Sequence, residues 1–214
     1  MERHTQPIPT SGPRDGRTVL LVGNPNVGKS VLFSRITGKF VVISNYPGTT
    51  VDITKGTAVI AGENVVVLDT PGVNELAPRT EDARVTCDVM RDHPDATVVQ
   101  VADARNLRRA LLLTLQLAAL RRPMILVLNM IDELEQCGAE IDTAKLSEIL
   151  GIPVVTAVAI EGRGIEGIVH ALPSARVPHC AVPATSADMS YELTMAYLAL
   201  ANVESAYGPI KAIR

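Results

Sequence analysis

The chain has 214 residues, 47% of them hydrophobic and 3% aromatic, with no tryptophan and a formal net charge of −3. That length suits one α/β domain plus a small appendage, and the apolar content is ample for a core. So few aromatics and no basic excess leave neither a base-stacking surface nor a basic footprint, which argues against nucleic acid as a direct partner.

Residues 1–17 carry Pro7, Pro9, Gly12, Pro13 and Gly16 among polar neighbours, lack the apolar centre of a signal peptide, and read as a disordered arm. The first organised stretch is Thr18 to Ser30. Val19 to Val22 reads as a buried strand, and it runs into Gly23-x-x-x-x-Gly28-Lys29-Ser30, the spacing of a phosphate-binding P-loop. The two glycines let the backbone turn tightly and aim successive N–H groups inward, so amide donors and a helix N-terminus hold a di- or triphosphate. Gly23, Asn24, Pro25, Asn26, Val27, Gly28, Lys29, Ser30 and Val31 form the expected phosphate grip, with Lys29 on the β- and γ-phosphates and Ser30 on Mg2+.

Val31, Leu32, Phe33 and Ile36 predict a short helix closed by a left-handed Gly38, and Phe40 to Asp52 reads as a loop. Thr57–Ile60 and Val65–Asp69 predict an antiparallel hairpin around Gly62-Glu63-Asn64. Its second strand delivers Asp69-Thr70-Pro71-Gly72, where the carboxylate can hold Mg2+ through water and Gly72 can offer its N–H to the γ-phosphate. Asn74 to Arg84 reads as a mobile loop, with a helix around Val85, Val89 and Met90. Ala96 to Val101 is a further buried strand, and Asn106 is placed to cap a deeply buried helix over Leu107 to Leu120.

The buried strand Met124 to Leu128 ends in Asn129-Met130-Ile131-Asp132, at the strand end where an open α/β sheet binds ligands. A carboxylate there accepts N1–H and the 2-amino group of guanine, which adenine cannot offer, and Asn129 can tie this loop to the P-loop. Leu146, Ile149 and Leu150 mark a helix stopped by Gly151, and Pro153 to Ala157 is a sixth strand. The loop Val158-Ala159-Ile160-Glu161-Gly162-Arg163-Gly164 follows, then a helix from Ile165. From Pro173 the composition turns to a proline-bearing linker, and Met189 to Val203 repeats at helical spacing. The longest greasy run, Ala110 to Leu120, falls short of the ~20 residues that span a bilayer. Cys87, Cys137 and Cys180 form no C-x-x-C pair and fit a reducing cytosol, while His4, His93, His170 and His179 lie far apart and read as surface residues. The expected fold is thus a P-loop α/β domain with a six-stranded, mostly parallel sheet.

The order P-loop, Thr-containing loop, Asp-x-x-Gly, Asn-x-x-Asp resembles the translation-factor-related small GTPases, and hence implies a Ras-like fold. Gly23-Asn-Pro-Asn-Val-Gly-Lys-Ser30, Asn45-Tyr-Pro-Gly-Thr-Thr-Val-Asp52, Leu68-Asp-Thr-Pro-Gly72, Val101-Ala-Asp-Ala-Arg-Asn-Leu107 and Leu113-Thr-Leu-Gln-Leu117 are similar, more closely, to the cytosolic G domain of FeoB-type ferrous iron transporters. The resemblance covers residues 18–172. It implies GTP hydrolysis that regulates iron transport at the cytoplasmic face of a bacterial inner membrane, with residues 173–214 as a linker and the truncated start of a helical domain.

The same resemblance implies roles for single residues. Gly48, Thr49 and Thr50 lie in the first switch, with Thr50 completing the Mg2+ site beside Ser30 and Asp69, and Thr49 as the competing candidate. Asn26 resembles the K+ ligand of potassium-activated members, with carbonyls near Asn45 and Tyr46. A monovalent cation there neutralises charge that develops on phosphoryl transfer, so Lys29, Asn26, Thr50 and Gly72 form the expected catalytic group. Val73 stands where many GTPases carry a water-positioning glutamine, so slow intrinsic turnover is expected and neither Asn74 nor Glu75 is assigned as general base. The base-binding loop usually reads Ser-Ala, and the matching positions here are Val158 and Ala159.

The implied partners are GTP or GDP, a membrane-embedded iron-permeation domain of the same polypeptide, a small accessory protein of the iron-uptake system, and a second copy of the chain. Two rival readings remain. One is a regulatory module that holds nucleotide without turnover. The other is a free-standing GTPase of ribosome assembly or tRNA modification, against which the absence of a basic patch weighs.

Overall fold

The computed structural model describes residues 17–38 and 41–179. The arm 1–16, His4, Cys180 and the predicted tail helix lie outside the described residues. In chain order the elements are β1 (Thr18–Gly23), α1 (Lys29–Ile36), β2 (Val41–Asn45), β3 (Asp52–Ile60), β4 (Glu63–Asp69), α2 (Glu81–Asp92), β5 (Thr97–Asp103), α3 (Leu107–Ala119), β6 (Met124–Asn129), α4 (Ile131–Gln136), α5 (Thr143–Leu150), β7 (Val154–Thr156) and α6 (Ile165–Ala171).

The strands form one seven-stranded sheet in the order β2-β3-β4-β1-β5-β6-β7. From β4 to β7 every pairing is parallel, while β2 and β3 join antiparallel. The central strand β1 is buried on both faces, and its alternation splits the core. Leu20 and Val22 point to the side packed with residues of α2 and α3, and Val19 and Leu21 to the side with residues of α1 and α6. Leu20 and Leu21 have no solvent exposure, each worth ~1.5–3 kcal/mol relative to an exposed side chain. β1 pairs with β4 on one side and β5 on the other, so the chain reverses its direction of winding there and the loop after β1 opens above the sheet's carboxyl edge.

Three local expectations are corrected. Val41–Asn45 is an edge strand rather than part of a loop, which makes the strand count seven instead of six. All five of its residues are exposed, so it has no burial pattern to betray it, but its β-branched run suits pairing with β3. The helix α1 is not closed by a left-handed glycine: Thr37 Oγ1 donates to the Phe33 carbonyl at 2.7 Å, and Gly38 N–H turns away to the Thr57 carbonyl at 3.0 Å. Asn106 makes no side-chain cap on α3, since a 3-10 turn over Ala104–Asn106 precedes that helix and Asp103 accepts the Arg105 N–H instead.

The hairpin turn falls on Ala61 and Gly62, at φ 52° and 82°, a pair of left-handed residues that matches the twist of two paired strands. Gly151 ends α5 in the left-handed conformation, at φ 71°. Beyond α6 the chain stays on the domain: Arg176 pairs with Met124, and His179 N–H donates to the Leu150 carbonyl at 3.0 Å. No helix among the described residues is long and apolar enough to cross a membrane.

Candidate functional site

The carboxyl ends of β1, β4, β5 and β6 carry the site. The turn after β1 is locked by close approaches that only glycine allows. A Cβ on Gly23 would lie 2.2 Å from the Val101 carbonyl oxygen, and one on Gly28, already at φ 81°, would lie 2.3 Å from Asn129 Nδ2. Asn26 also holds a positive φ of 64°, which Asn tolerates better than most residues. An open cleft of about 380 Å3 follows, lined by Asn24, Pro25, Asn26, Gly28, Lys29, Ser30, Val31, Gly72 and Asp82. Asp82, in the first turn of α2, is a member that the polar reading of 74–84 did not single out.

Lys29 and Asp69 form a buried ion pair, with Lys29 Nζ also donating to the Thr70 carbonyl. Ser30 Oγ donates to Asp69 Oδ2 at 2.7 Å, so a hydroxyl and a carboxylate, both hard oxygen donors, converge beside the lysine. The segment after β4 is strapped to the P-loop: Val73 N–H donates to the Gly23 carbonyl at 2.8 Å, and Asn24 Nδ2 to the Val73 carbonyl at 3.2 Å. A Cβ on Gly72 would lie 2.9 Å from Pro25 Cα. Thr70 Oγ1 donates to the Leu21 carbonyl at 2.8 Å, and Thr70 is buried below the cleft rather than in it. The Val73 side chain is buried, so nothing polar projects from the position after Gly72. Asn74 Oδ1 is held by Arg109 of α3 and lies 3.5 Å from Asn24 Nδ2.

The loop of residues 46–51 is folded on itself and onto α2. Thr49 Oγ1 donates to the Tyr46 carbonyl at 2.9 Å and accepts Val51 N–H at 3.2 Å, which occupies that hydroxyl. Thr50 is exposed, Gly48 sits at φ 78°, and among the described residues no hydrogen bond links this loop to residues 23–31. Tyr46 Oη donates to Asp92 Oδ2 at 2.7 Å, and that bond to a carboxylate raises the phenol above its ordinary pKa, with burial adding to the shift.

At the end of β6, Asn129 is buried and engaged at both its amide nitrogen and its amide oxygen. Its Nδ2 donates to the Val27 carbonyl at 2.9 Å and its Oδ1 accepts Ala159 N–H at 2.9 Å. One amide thereby joins the phosphate loop to the loop after β7. Met130 takes the left-handed conformation at φ 60°, which turns the chain into α4 and sets Asp132 in that helix's first turn, half-buried. Val158 N–H is spent on the Arg163 carbonyl at 3.0 Å and Ala159 N–H on Asn129, so neither remains for a base. Among the described residues no partner takes the Ile160 N–H.

Two arginines, Arg105 within the 101–107 motif and Arg35 outside every motif, hold this end together. Arg105 grips Asp103 through Nε and Nη2, pairs with Glu133 of α4, and brings Nη2 to 3.4 Å from Met130 Sδ. Burial pushes the Asp103 carboxyl up, but the Arg105 hydrogen bonds outweigh it and leave its pKa below the ordinary value. Arg35 of α1 donates to the Ala159 and Ile160 carbonyls. His93 is half-buried rather than a surface residue, and that burial lowers its pKa.

The comparisons with known proteins agree with this geometry. A family model described as Ferrous iron transport protein B, FeoB_N, matches residues 17–172. The chain belongs to that family. Among curated relatives, the Fe(2+) transporter FeoB of Synechocystis sp. is 35% identical over 165 residues, 77% of this chain and 27% of that protein. FeoB of Salmonella typhimurium is 38% identical over 155 residues, 71% of this chain and 20% of that protein. The matched part thus spans a fifth to about a quarter of those relatives. The cytosolic domain of T. maritima FeoB, in a GDP form and a GMPPNP form, is 33% identical with TM-scores of 0.69 and 0.68. Each match covers about three quarters of this chain, 75% and 74%, and 63% of that domain. This FeoB-family chain therefore has the fold of the FeoB G domains, the P-loop GTPase fold.

Proposed function

We propose that this FeoB-family chain binds and hydrolyses GTP, and that its nucleotide state regulates ferrous iron transport by a membrane domain of the same polypeptide. The observation that carries the reading is Asn129, which ties the phosphate loop to the loop after β7 and so holds the groups for phosphate and for base in one site. The GDP and GMPPNP forms of the T. maritima domain support the same ligand.

Gly23 to Val31 with Gly72 take the phosphates, Asp132 and the Ile160 N–H take guanine, and Ser30 and Asp69 would hold Mg2+, with Thr50 as the switch hydroxyl. The engagement of Thr49 within its own turn supports Thr50 for that role. When bound, Mg2+ neutralises charge on the β- and γ-phosphates, and K+ at Asn26 does the same on the side where other systems insert an arginine. Lys29 exchanges its present partner, Asp69, for phosphate oxygens. The G domain is assigned to residues 18–172, and the segment from 173 to the start of a helical domain. The accessory protein, the second copy and the inner-membrane location belong to the same proposal.

Turnover of GTP and ATP in KCl and in NaCl tests the reading. GTP in KCl is expected to be fastest, Asn26→Ala to abolish the salt difference, and Asp132→Ala to abolish guanine preference. Failure of GDP and GTP to bind in a calorimeter with Mg2+ present overturns it. A second reading, a nucleotide switch with negligible turnover, is favoured by the burial of Val73, and single-turnover hydrolysis separates the two.

A further inference from the structure

Of the side chains in the base loop, Arg163 reaches another element, in a half-exposed ion pair with Glu135 of α4 at 3.7 Å, and the residues that would face the base have no such anchor. Val158 and Ala159 are apolar and buried, Ile160 is 69% exposed, and Gly162 and Gly164 both sit in the left-handed region. The order of residues 159 and 160 comes from backbone bonds within the loop, from Asn129 below, and from the Arg35 guanidinium above. Arg35 donates through Nε to the Ala159 carbonyl at 3.2 Å and through Nη2 to the Ile160 carbonyl, across more than a hundred residues of chain. Gly162 lies beneath the same group, where a Cβ would come to 3.7 Å from Arg35 Nη1. Among the described residues no other side chain is hydrogen-bonded to either carbonyl.

We propose that Arg35 is a positioning residue that holds the base loop closed on guanine and so sets how slowly guanine nucleotide leaves. This rests on the reading that Ile160 N–H meets the purine O6. The Ala159 carbonyl and the Ile160 N–H belong to one planar peptide unit, so fixing the carbonyl sets where the N–H points, and the second bond to the Ile160 carbonyl holds the next unit. Arg35 belongs to the eight-residue helix α1 that begins at Lys29, so one short rigid element grips phosphate at its first turn and the base loop at its last. A planar two-donor fork suits two successive carbonyls, whereas a lysine ammonium at this distance serves one. The ordinary role of an arginine in the last turn of a helix is to complement the macrodipole, which acts on α1 alone and is indifferent to the base.

The test compares wild type with Arg35→Ala and Arg35→Lys, following release of GDP and of 6-thio-GDP, which keeps N1–H and the 2-amino group but replaces O6 with a weaker acceptor. Backbone amide exchange over residues 158–164 is measured in the same proteins without nucleotide. Losing two bonds to a charged donor at a partly exposed site is expected to speed GDP release about tenfold in Arg35→Ala, with Arg35→Lys between. The acceleration is expected to be clearly smaller for 6-thio-GDP, and exchange over 158–164 to be faster in Arg35→Ala. Unchanged amide exchange, or equal acceleration for both nucleotides, overturns the proposal. If wild type holds no GDP, the guanine reading falls, while faster loop exchange in Arg35→Ala still supports the clamp and unchanged exchange removes it.

Discussion

Asn129 reaches across 102 residues of chain to donate to the Val27 carbonyl at 2.9 Å. Its second bond, from the Ala159 N–H, makes it a direct strut between the phosphate loop and the loop after β7. Replacing it with alanine removes both bonds and strands a buried carbonyl and a buried N–H. Each stranded group costs ~1–3 kcal/mol, so Asn129→Ala is expected to lower stability by about 2–6 kcal/mol. Urea unfolding checks this through the midpoint, with the m-value unchanged. Calorimetry with GDP should show weaker binding in the same variant. An unshifted midpoint would mean that the strut contributes nothing.

The Lys29–Asp69 pair makes a second prediction. The two side chains are only 9% and 6% exposed, so removing one partner leaves an uncompensated charge away from water. Asp69→Ala is expected to cost about 3–5 kcal/mol in the absence of nucleotide, whereas Lys29→Met combined with Asp69→Ala should cost less than Asp69→Ala alone. Urea unfolding of the two single variants and the double variant measures the coupling directly. Additive losses would show that the charges do not depend on each other.

Much of this architecture could be read from local chemistry. β1, β5 and β6 are short apolar runs bounded by turn residues, and the glycine spacing of the P-loop reflects close approaches to Val101 and Asn129 that leave no room for a Cβ. What escaped reading is governed by partners distant in sequence. β2 is stabilised by pairing with β3 and shows no buried face; α4 has six residues, too few to display a helical period. Gly38 was misread because its N–H goes to Thr57, a contact no local rule anticipates. Asn129 and Arg163 claim the Ala159 and Val158 N–H groups, engagements that no local pattern foretells. Arg35, Arg105 and Arg109 act through contacts that no spacing pattern encodes.

Tyr46 and Asp92 join the loop of residues 46–51 to the end of α2, so the two segments that flank the phosphate cleft move together while the bond lasts. Tyr46→Phe removes only an exposed hydrogen bond, and its effect on stability is expected to stay within about 0.5 kcal/mol. Amide exchange over residues 46–51 should nevertheless rise. Because the folded-state phenol pKa is raised above its ordinary 10.0, the contribution is fully present below pH 10 and lost as pH climbs through the folded-state value. The exchange difference between wild type and Tyr46→Phe should therefore vanish at high pH. Equal exchange in the two proteins at neutral pH would rule out the tie.

Asp103 and Arg105 set the acid limit of the base end. The Arg105 hydrogen bonds hold the Asp103 carboxyl below its ordinary 3.8 despite partial burial that works the other way. A carboxylate depressed in the folded state stabilises the protein above the unfolded-state pKa and loses that contribution as pH falls through the folded-state value. The stability difference between wild type and Asp103→Asn is therefore expected to be constant from neutral pH down to about pH 5, then to shrink as the wild-type carboxyl protonates. Because the same guanidinium also pairs with Glu133 and lies against Met130, Asp103→Asn should loosen the start of α4, where Asp132 sits, and weaken GDP binding at pH 7. Urea midpoints between pH 3 and pH 7, with GDP titrations at the upper end, measure both effects. A difference that grew towards acid would reverse the sign and show that burial, rather than Arg105, controls this carboxyl.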